Sequence, residues 1–477
     1  MNYFKTAFAT SLIAAGACSA EKTSGSKPNI LFLFADDLAY NCIAAQGNKE
    51  VKTPNIDKLT RNGVQFVHAY NSGAWQGAVC MASRSMLMSG MQLWQARKVS
   101  KKFGNMAKAN QMWPQRMKAQ GYTTYFSGKW HTGPHKLAEQ VFDHAEHVRG
   151  GMPNQSKDRY SRTFEPGKTS SWLPTDKSKG GFWKGGKHWS EILADDAASF
   201  MKMAAKDKKP FFMMCSFNAP HDPRQAPQKY QDMYPYGNIK VPDSFMPLYP
   251  DDIGSNKIRD EQLAPFPRTK FSVQVNRSEY YALITHTDEQ IGKILNALEK
   301  SGKADNTVII FTADHGLSVG AHGLIGKQNQ YDCSVRAPWI ITGPGIPKGK
   351  KVNDKIYLQA AMTTALDLAG ADISKDAFKS AVKIISGEDK GHDTVYGAYI
   401  DFQRMARNDK YKLIWYPQIG VEKLFDMQKD PEEIKDLSKS PEFKKVVVTM
   451  RKKLAAKMKE MGDKPELISK LQSRFSK

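Results

Sequence analysis

Ile30-Leu31-Phe32-Leu33-Phe34 runs almost directly into Asp36-Asp37, and this stretch decides the fold. Consecutive apolar residues, branched and aromatic, leave no polar face for solvent. Such a run reads as a strand buried on both sides, the situation of a parallel sheet. The two carboxylates then stand where that strand leaves the sheet. Three other stretches repeat the pattern. Thr123-Thr124-Tyr125-Phe126 leads to Lys129-Trp130-His131, Phe211 to Phe217 leads to Asn218-Ala219-Pro220-His221, and Val308-Ile309-Ile310-Phe311 leads to Asp314-His315-Gly316.

Helical patterns lie between these runs, at 56–63, 112–121, 191–205 and 278–301. Strands alternating with helices predict an α/β fold, a mostly parallel central sheet sandwiched by helices. Ligands bind such sheets outside the carboxyl ends of the strands. Asp36, Asp37, Lys129, His131, His221, Asp314 and His315 are therefore expected along one edge. Each has an ordinary reading alone: paired Asp residues cap helices and turns, and single histidines pack in cores. Four strand ends that each deliver a charged or imidazole group carry more meaning together.

The chain has 477 residues, 40% hydrophobic and 25% charged, enough for two or three domains at roughly 150 residues each. That balance excludes a disordered, collagen-like or polytopic membrane protein, and five cysteines exclude a disulfide-stapled scaffold. The 70 Lys and Arg against 48 Asp and Glu leave a formal charge of +22, a field that attracts polyanions. No recognition helix, paired RNA-binding aromatics or zinc-finger spacing accompanies it, so no nucleic-acid partner is expected. A sulfated or carboxylated polysaccharide fits the charge, as does a plain solvated lysine-rich surface.

Lys5 precedes an apolar run, Thr6 to Ala17, short of the about 20 residues a bilayer requires but suited to a signal peptide. Residues 1–17 are thus expected to be a signal peptide and 18–27 a polar tether. Ala15-Gly16-Ala17 before Cys18 forms an imperfect lipobox, with alanine at the usual leucine. Export to the periplasm or outer surface of a bacterium follows as the expectation, with a lipid on Cys18 as an anchor.

The segment Val79-Cys80-Met81-Ala82-Ser83-Arg84-Ser85 continues to Ser89-Gly90. It reads as a short helix opening at Cys80 and closing near Gly90. A side chain at a helix start meets free backbone N–H groups and the positive end of the dipole, an anion site, and Arg84 lies one turn on. Small buried cysteines before helices are also common.

Cys80-x-Ala82-Ser83-Arg84 with Ser89-Gly90 resembles the signature of the formylglycine-dependent sulfatases, members of the alkaline-phosphatase-like superfamily. Asp36-Asp37, Thr53-Pro54-Asn55-Ile56-Asp57, Gly128 to His131, Ala219-Pro220-His221, Asp314-His315-Gly316 and Gly326-Lys327 resemble its other motifs in the same order. Tyr411 to Ile414, Leu424-Phe425-Asp426 and Asp430-Pro431-Glu432 resemble its C-terminal subdomain. The resemblance implies a catalytic domain at 28–370 and a smaller C-terminal α+β subdomain at 371–477, with a small sheet and a lysine-rich terminal helix from Phe443. It departs at Ala82, where many members carry Pro, and at His315, where others carry Asn beside the metal-binding Asp.

The resemblance also implies cofactors and roles. Cys80 would be oxidised to formylglycine by a maturation enzyme, and one calcium ion would sit among Asp36, Asp37 and Asp314, with Cys80 and His315 beside it. Lys129 and Lys327 would hold sulfate oxygens, with Arg84 bracing the site. A serine or thiol nucleophile would leave a stable adduct, whereas an aldehyde hydrate carries a second hydroxyl whose deprotonation expels sulfate. Asp314 would assist attack, His221 with Lys327 would protonate the leaving oxygen, and His131 would deprotonate the second hydroxyl.

Residues 149–190 hold Trp172, Trp183 and Trp189 among Lys168, Lys179, Lys184, Lys187 and His188. Aromatic faces interleaved with cations suit a sulfated glycan, and Trp183, Lys184 and Lys187 are the candidate substrate-binding residues. A long loop that merely covers the sheet is the other reading. The Pro/Tyr-rich stretch 220–267 can supply a second wall. The expected partner is a sulfated poly- or oligosaccharide, a carrageenan-type galactan among the options. A phosphonate or phosphate monoester hydrolase of the same superfamily and a silent polyanion-binding protein are the competing readings.

Overall fold

The computed structural model describes residues 27–476 apart from 155, 161, 163, 169 and 254–256. The expected signal peptide, tether and Cys18 lie outside the described residues. Eight strands form the central sheet: β1 (Asn29–Ala35), β2 (Val64–Tyr70), β4 (Thr123–Lys129), β5 (His144–Arg149), β6 (Phe211–Ser216), β7 (Thr307–Ala313), β8 (Trp339–Thr342) and β9 (Lys350–Tyr357). Their order is β5-β4-β6-β1-β7-β8-β2-β9, and β8 alone runs against its neighbours. Every residue of β1 is buried, as a strand flanked by β6 and β7 and covered on both faces must be.

The register sets the site. Leu31 faces Met213 and Ile309, and Ala35 faces Ala313, so β1, β6 and β7 end level. The four runs picked out by their apolar character occupy adjacent places, β4-β6-β1-β7. Gly128, at φ +100°, lets β4 lie against β6 just before Lys129, because a Cβ there would overlap the Ser216 carbonyl.

The helices match the expected patterns with shifted ends. The longest begins at Lys270 rather than Ser278, because Thr269 caps it by accepting the Ser272 N–H at 3.0 Å. The lysine-rich end is two helices, Lys444–Met461 and Pro465–Gln472, where one was expected. Gly462 in the left-handed conformation closes the first and Pro465 opens the second. Among the described residues no helix is long and apolar enough to cross a membrane.

A second sheet is a meander of β10 (Val395–Tyr399), β11 (Gln403–Arg407), β12 (Tyr411–Tyr416) and β13 (Val421–Asp426). Its last place is taken by β3 (Gly73–Ala74), from far earlier in the chain, paired in parallel with Ala398 and Tyr399. Helix Val79–Ser89 follows β3 and has a side in each core. Val79, Ala82 and Met86 pack with Leu413, Trp415 and Met450, while Leu87 and Met88 pack against the large sheet's core. Burying each large side chain contributes roughly 1.5–3 kcal/mol, and Leu87→Ala would cost roughly 2–5 kcal/mol. Gly90, left-handed at φ 70°, ends the helix.

Candidate active site

Four strand ends and one helix start converge. Backbone hydrogen bonds tie them: Asp36 N–H donates to Ala219 O at 3.1 Å and Asp314 N–H to Ala35 O at 3.2 Å. Asp37 N–H donates to Asp314 Oδ1 at 3.1 Å, and Asn71 Nδ2 to Asp314 O at 2.8 Å. Asp37 and His131 both have left-handed backbones, at φ 67° and 52°. That conformation is costly for non-glycine residues and persists where surrounding bonds fix it. Tyr280 does so at Asp37 by donating to its carbonyl and accepting the Ala39 N–H at 3.0 Å.

The carboxylates are fully buried, and each meets a cation. Lys129 Nζ donates to Asp36, while Lys327 Nζ donates to both Asp37 oxygens at 2.8 Å. Arg84 Nε donates to Asp314 Oδ2 at 3.1 Å, and its Nη1 donates to Lys129 O and Ser216 Oγ at 2.9 and 2.6 Å. Its guanidinium also sits 4.6 Å from the Phe34 ring centroid. Burial opposes ionisation of Asp37, but His221, Lys327 and His315 outweigh it and lower its carboxyl. Asp314 is held well below the usual range, with His315, Arg84 and Lys129 overcoming burial. Asp36 goes the other way: burial and neighbouring Asp314 push it well above that range despite Lys129. The cluster is short of positive charge at Asp36.

Cys80 begins its helix inside this field. Burial would push its thiol up, yet Lys129, Lys327 and His131 hold it well below the ordinary thiol range. His131 Nδ1 lies 3.3 Å from Cys80 Sγ. His221 Nδ1 lies 3.0 Å from Asp222 Oδ1, its Nε2 is 3.8 Å from Asp37 Oδ2, and Arg259 clamps Asp222 at 2.8 and 3.1 Å. His315 Nε2 is 3.2 Å from Asp37 Oδ1 and 3.5 Å from Asp314 Oδ1. Those carboxylates raise its imidazole against the lowering effect of burial.

Two groups have metal-ligand spacing, with donor atoms within 4.8 Å: Asp36, Cys80, Asp314 and His315, and Asp36, Asp37 and His221. Asp36 Oδ1 and His315 Nε2 are buried without a hydrogen-bond partner. Unpartnered buried donor atoms beside three carboxylates fit a divalent cation. His315 is therefore in the cluster, although imidazole suits a softer ion than calcium.

A cavity of about 420 Å³ opens over these groups, lined by Cys80, His131, His221 and Lys327. Lys257, Arg259 and Asp260 from the 220–267 stretch wall one side, and Tyr399 of β10 reaches it from the small sheet. The loop at 149–190 requires a correction. Trp183 is only 5% exposed, with Lys177 over its ring and His188 at its edge, so its face is not free for a sugar. Trp172 is likewise buried, under Arg159 and Arg162. Lys187 pairs with Asp195 at the surface, and neither it nor Lys184 lines the cavity. The tryptophans and cations of this loop stack on one another instead.

Sequence reasoning missed Ser216, Tyr280, Asp222 and Arg259. Asp222 had a signal, being adjacent to His221; Arg259 is 37 residues further on and had none beyond its place in the 220–267 stretch. Tyr280 looks like any helical aromatic until the fold turns it toward Asp37.

Buried carboxylates matched with fixed cations, at the carboxyl edge of a mostly parallel sheet, make a site for an anionic group beside a divalent cation. The sulfatase family model matches residues 28–371, and the model described as N-sulphoglucosamine sulphohydrolase, C-terminal, matches 320–460. The arylsulfatase of Clostridium perfringens is 28% identical over 476 residues, covering 92% of this chain and 95% of that protein. The ulvan-active sulfatase of Formosa agariphila is 28% identical over 462 residues, covering 92% and 82%. A solved structure in complex with its substrate D-glucosamine-2-N,6-O-disulfate aligns with a TM-score of 0.68 at 21% identity, covering 92% of this chain and 99% of that one. The chain belongs to the sulfatase family and is a sulfuric ester hydrolase.

Proposed function

We propose that this is an exported bacterial enzyme that removes sulfate from a sulfated polysaccharide, using formylglycine derived from Cys80 and one calcium ion. The observation that carries it is Cys80: buried, at a helix start, within 4.8 Å of the Asp36, Asp314 and His315 ligand atoms, and on the cavity floor. The ulvan-active relative and the glucosamine-disulfate complex support a glycan substrate, and the excess of 70 basic over 48 acidic residues suits a polyanion. Carrageenan-type galactans belong in the same assay.

Asp36, Asp37 and Asp314 would hold the metal, with Cys80, His221 and His315 at its margin; when bound it offsets charge on the sulfate oxygens. Formylglycine supplies, as its hydrate, a nucleophile that can be regenerated. Lys129 and Lys327 fix Asp36 and Asp37, and Lys327, which lines the cavity, is placed to orient the anion. His131, 3.3 Å from the residue-80 side chain, is placed to take a proton there. Held by Asp222, His221 presents Nε2 toward the cavity to give a proton to the leaving sugar oxygen.

The test combines mass spectrometry of the peptide carrying residue 80 with desulfation of ulvan, carrageenan and glucosamine sulfates, beside a phosphonate monoester. Conversion of Cys80 and sulfate release, both absent in Cys80→Ala, are expected. Turnover by Cys80→Ala would overturn the nucleophile, and preferential phosphonate hydrolysis would overturn the substrate class.

A further inference from the structure

The edge of the sheet opposite the active site carries a feature the reaction does not use. Helix Trp189–Lys206 and helix Lys270–Lys300 pack side by side and both end at this edge, where the chain turns into β6 and β7. Between their ends lies a groove of about 660 Å³, larger than the catalytic cavity. Its non-lysine lining is mainly apolar, Ala198, Met201, Ala205 and Ala297 with Asn296 and Ser301 beside them, and four lysines join it: Lys202, Lys206, Lys293 and Lys300. All four are exposed. Lys293 has Gln290 Oε1 at 2.9 Å and Glu289 at 3.9 Å. Among the described residues, no carboxylate lies within ion-pair distance of Lys202, Lys206 or Lys300. Last-turn lysines also complement a helix dipole, but Lys202 and Lys293 stand earlier in their helices.

The described chain starts at this same edge. Lys27 O accepts from Asn306 Nδ2 at 3.2 Å, Asn29 Oδ1 accepts from Phe211 N–H at 3.0 Å, and Lys303 Nζ donates to Asp207 O at 2.9 Å. Residues 27–29, 207–211 and 301–307 thus form one border, to which Lys208, Lys209 and Lys303 add charge. Lys27, the first described residue, thus stands on the border to which the groove also belongs.

We propose that this border is a membrane-facing surface: the groove takes an anionic phospholipid, its headgroup among the lysines and the start of its acyl chain on the alanine and methionine lining. A sulfated glycan would satisfy the lysines but leave the apolar lining without a partner. Basic residues near an anionic leaflet each contribute about 1 kcal/mol of attraction. The proposal rests on export as read above, and it sets the catalytic cavity facing away from the lipid, toward a polymer in solution.

The test uses the full chain carrying Cys18→Ser, so that no covalent lipid takes part. Co-sedimentation is measured with phosphatidylglycerol-containing vesicles and with pure phosphatidylcholine vesicles. Binding to the first and not the second is expected, weakened roughly a hundredfold in the triple variant Lys202→Gln, Lys206→Gln, Lys300→Gln. Ala297→Glu, which puts a carboxylate in the lining, should weaken it as well. Aryl sulfate hydrolysis by the same variants should be unchanged, which reports on the catalytic reading independently, and thermal melting checks that they fold. Equal sedimentation with both vesicles, or no loss in the triple variant, would overturn the proposal. So would retention on a sulfated-polysaccharide column that the triple variant loses while vesicle binding is absent in all forms.

Discussion

Lys129 and Lys327 differ from Lys184 and Lys187 in what burial makes of the same side chain. The first two are fully enclosed against Asp36 and Asp37, on pairs whose side chains are at most 2% exposed. Lys187 shares a surface pair with Asp195, with side chains 50% and 61% exposed. Inside the site, water cannot screen the ammonium, so its field reaches Cys80 and shapes that group's protonation. On the loop, solvent and salt damp the interaction, and exposed pairs of this kind contribute about 0–1 kcal/mol. Counting lysines along the chain treats the two sets alike; the fold separates them.

The comparison breaks most visibly at Lys327. Lys327→Ala should lower kcat by about 10²–10³-fold, since a fixed charge partner is lost, and steady-state kinetics on an aryl sulfate would show it. Asp222→Asn loosens the clamp on His221 and weakens the Arg259 pair while leaving Lys129 and Lys327 on their own carboxylates, and about a tenfold fall in kcat is expected. His322 tests burial without a counter-charge. It is stacked on Tyr331 at 3.8 Å between centroids, and burial, with Lys412 and Lys423 nearby, pushes its imidazole down from 6.5 to about 3. Below pH 6.5 the unfolded chain takes up a proton that the folded one refuses, so this residue's contribution to stability falls with pH until about pH 3. His322 alone contributes a slope that approaches about 1.4 kcal/mol per pH unit, and because His68 and His392 are lowered too, His322→Gln should reduce the total slope by that share in urea melts taken from pH 7 to pH 4. The smallest effect belongs to the loop: Lys184→Gln with Lys187→Gln should shift stability by less than about 0.5 kcal/mol. The same pair should leave KM on a sulfated oligosaccharide within about twofold.

Much of the site was legible because its strands are apolar throughout. Ile30 to Phe34 has no polar face, which suits a strand buried on both sides, and the residues after such a strand emerge at the sheet's carboxyl edge. The helix at Cys80 was legible from its neighbours, since Ala82, Ser83, Arg84 and Gly90 describe a short helix with a cation one turn in, whereas the role of Cys80 came only from the family resemblance. The loop misled for a related reason. Tryptophan and lysine in alternation describe a binding platform and a self-packed cover equally well, and only the burial of Trp183 and Trp172 separates them. Arg259 was illegible because its partner, Asp222, is remote in sequence and joined to it by irregular chain. The place of β3 in the small sheet was hidden by length, as two residues give no period to read.

That two-residue strand has a consequence in time. Gly73–Ala74 pairs with Ala398 and Tyr399, so the approach to the Cys80 helix is fastened by a segment more than 300 residues downstream. At roughly 5–20 residues per second of synthesis, that segment emerges about 15–65 seconds after Cys80 does. Cys80 ends only 3% exposed, so the conversion proposed for it above would be easier before the small sheet assembles. The late arrival of β10 keeps that interval open, and a slower ribosome between the two segments would lengthen it.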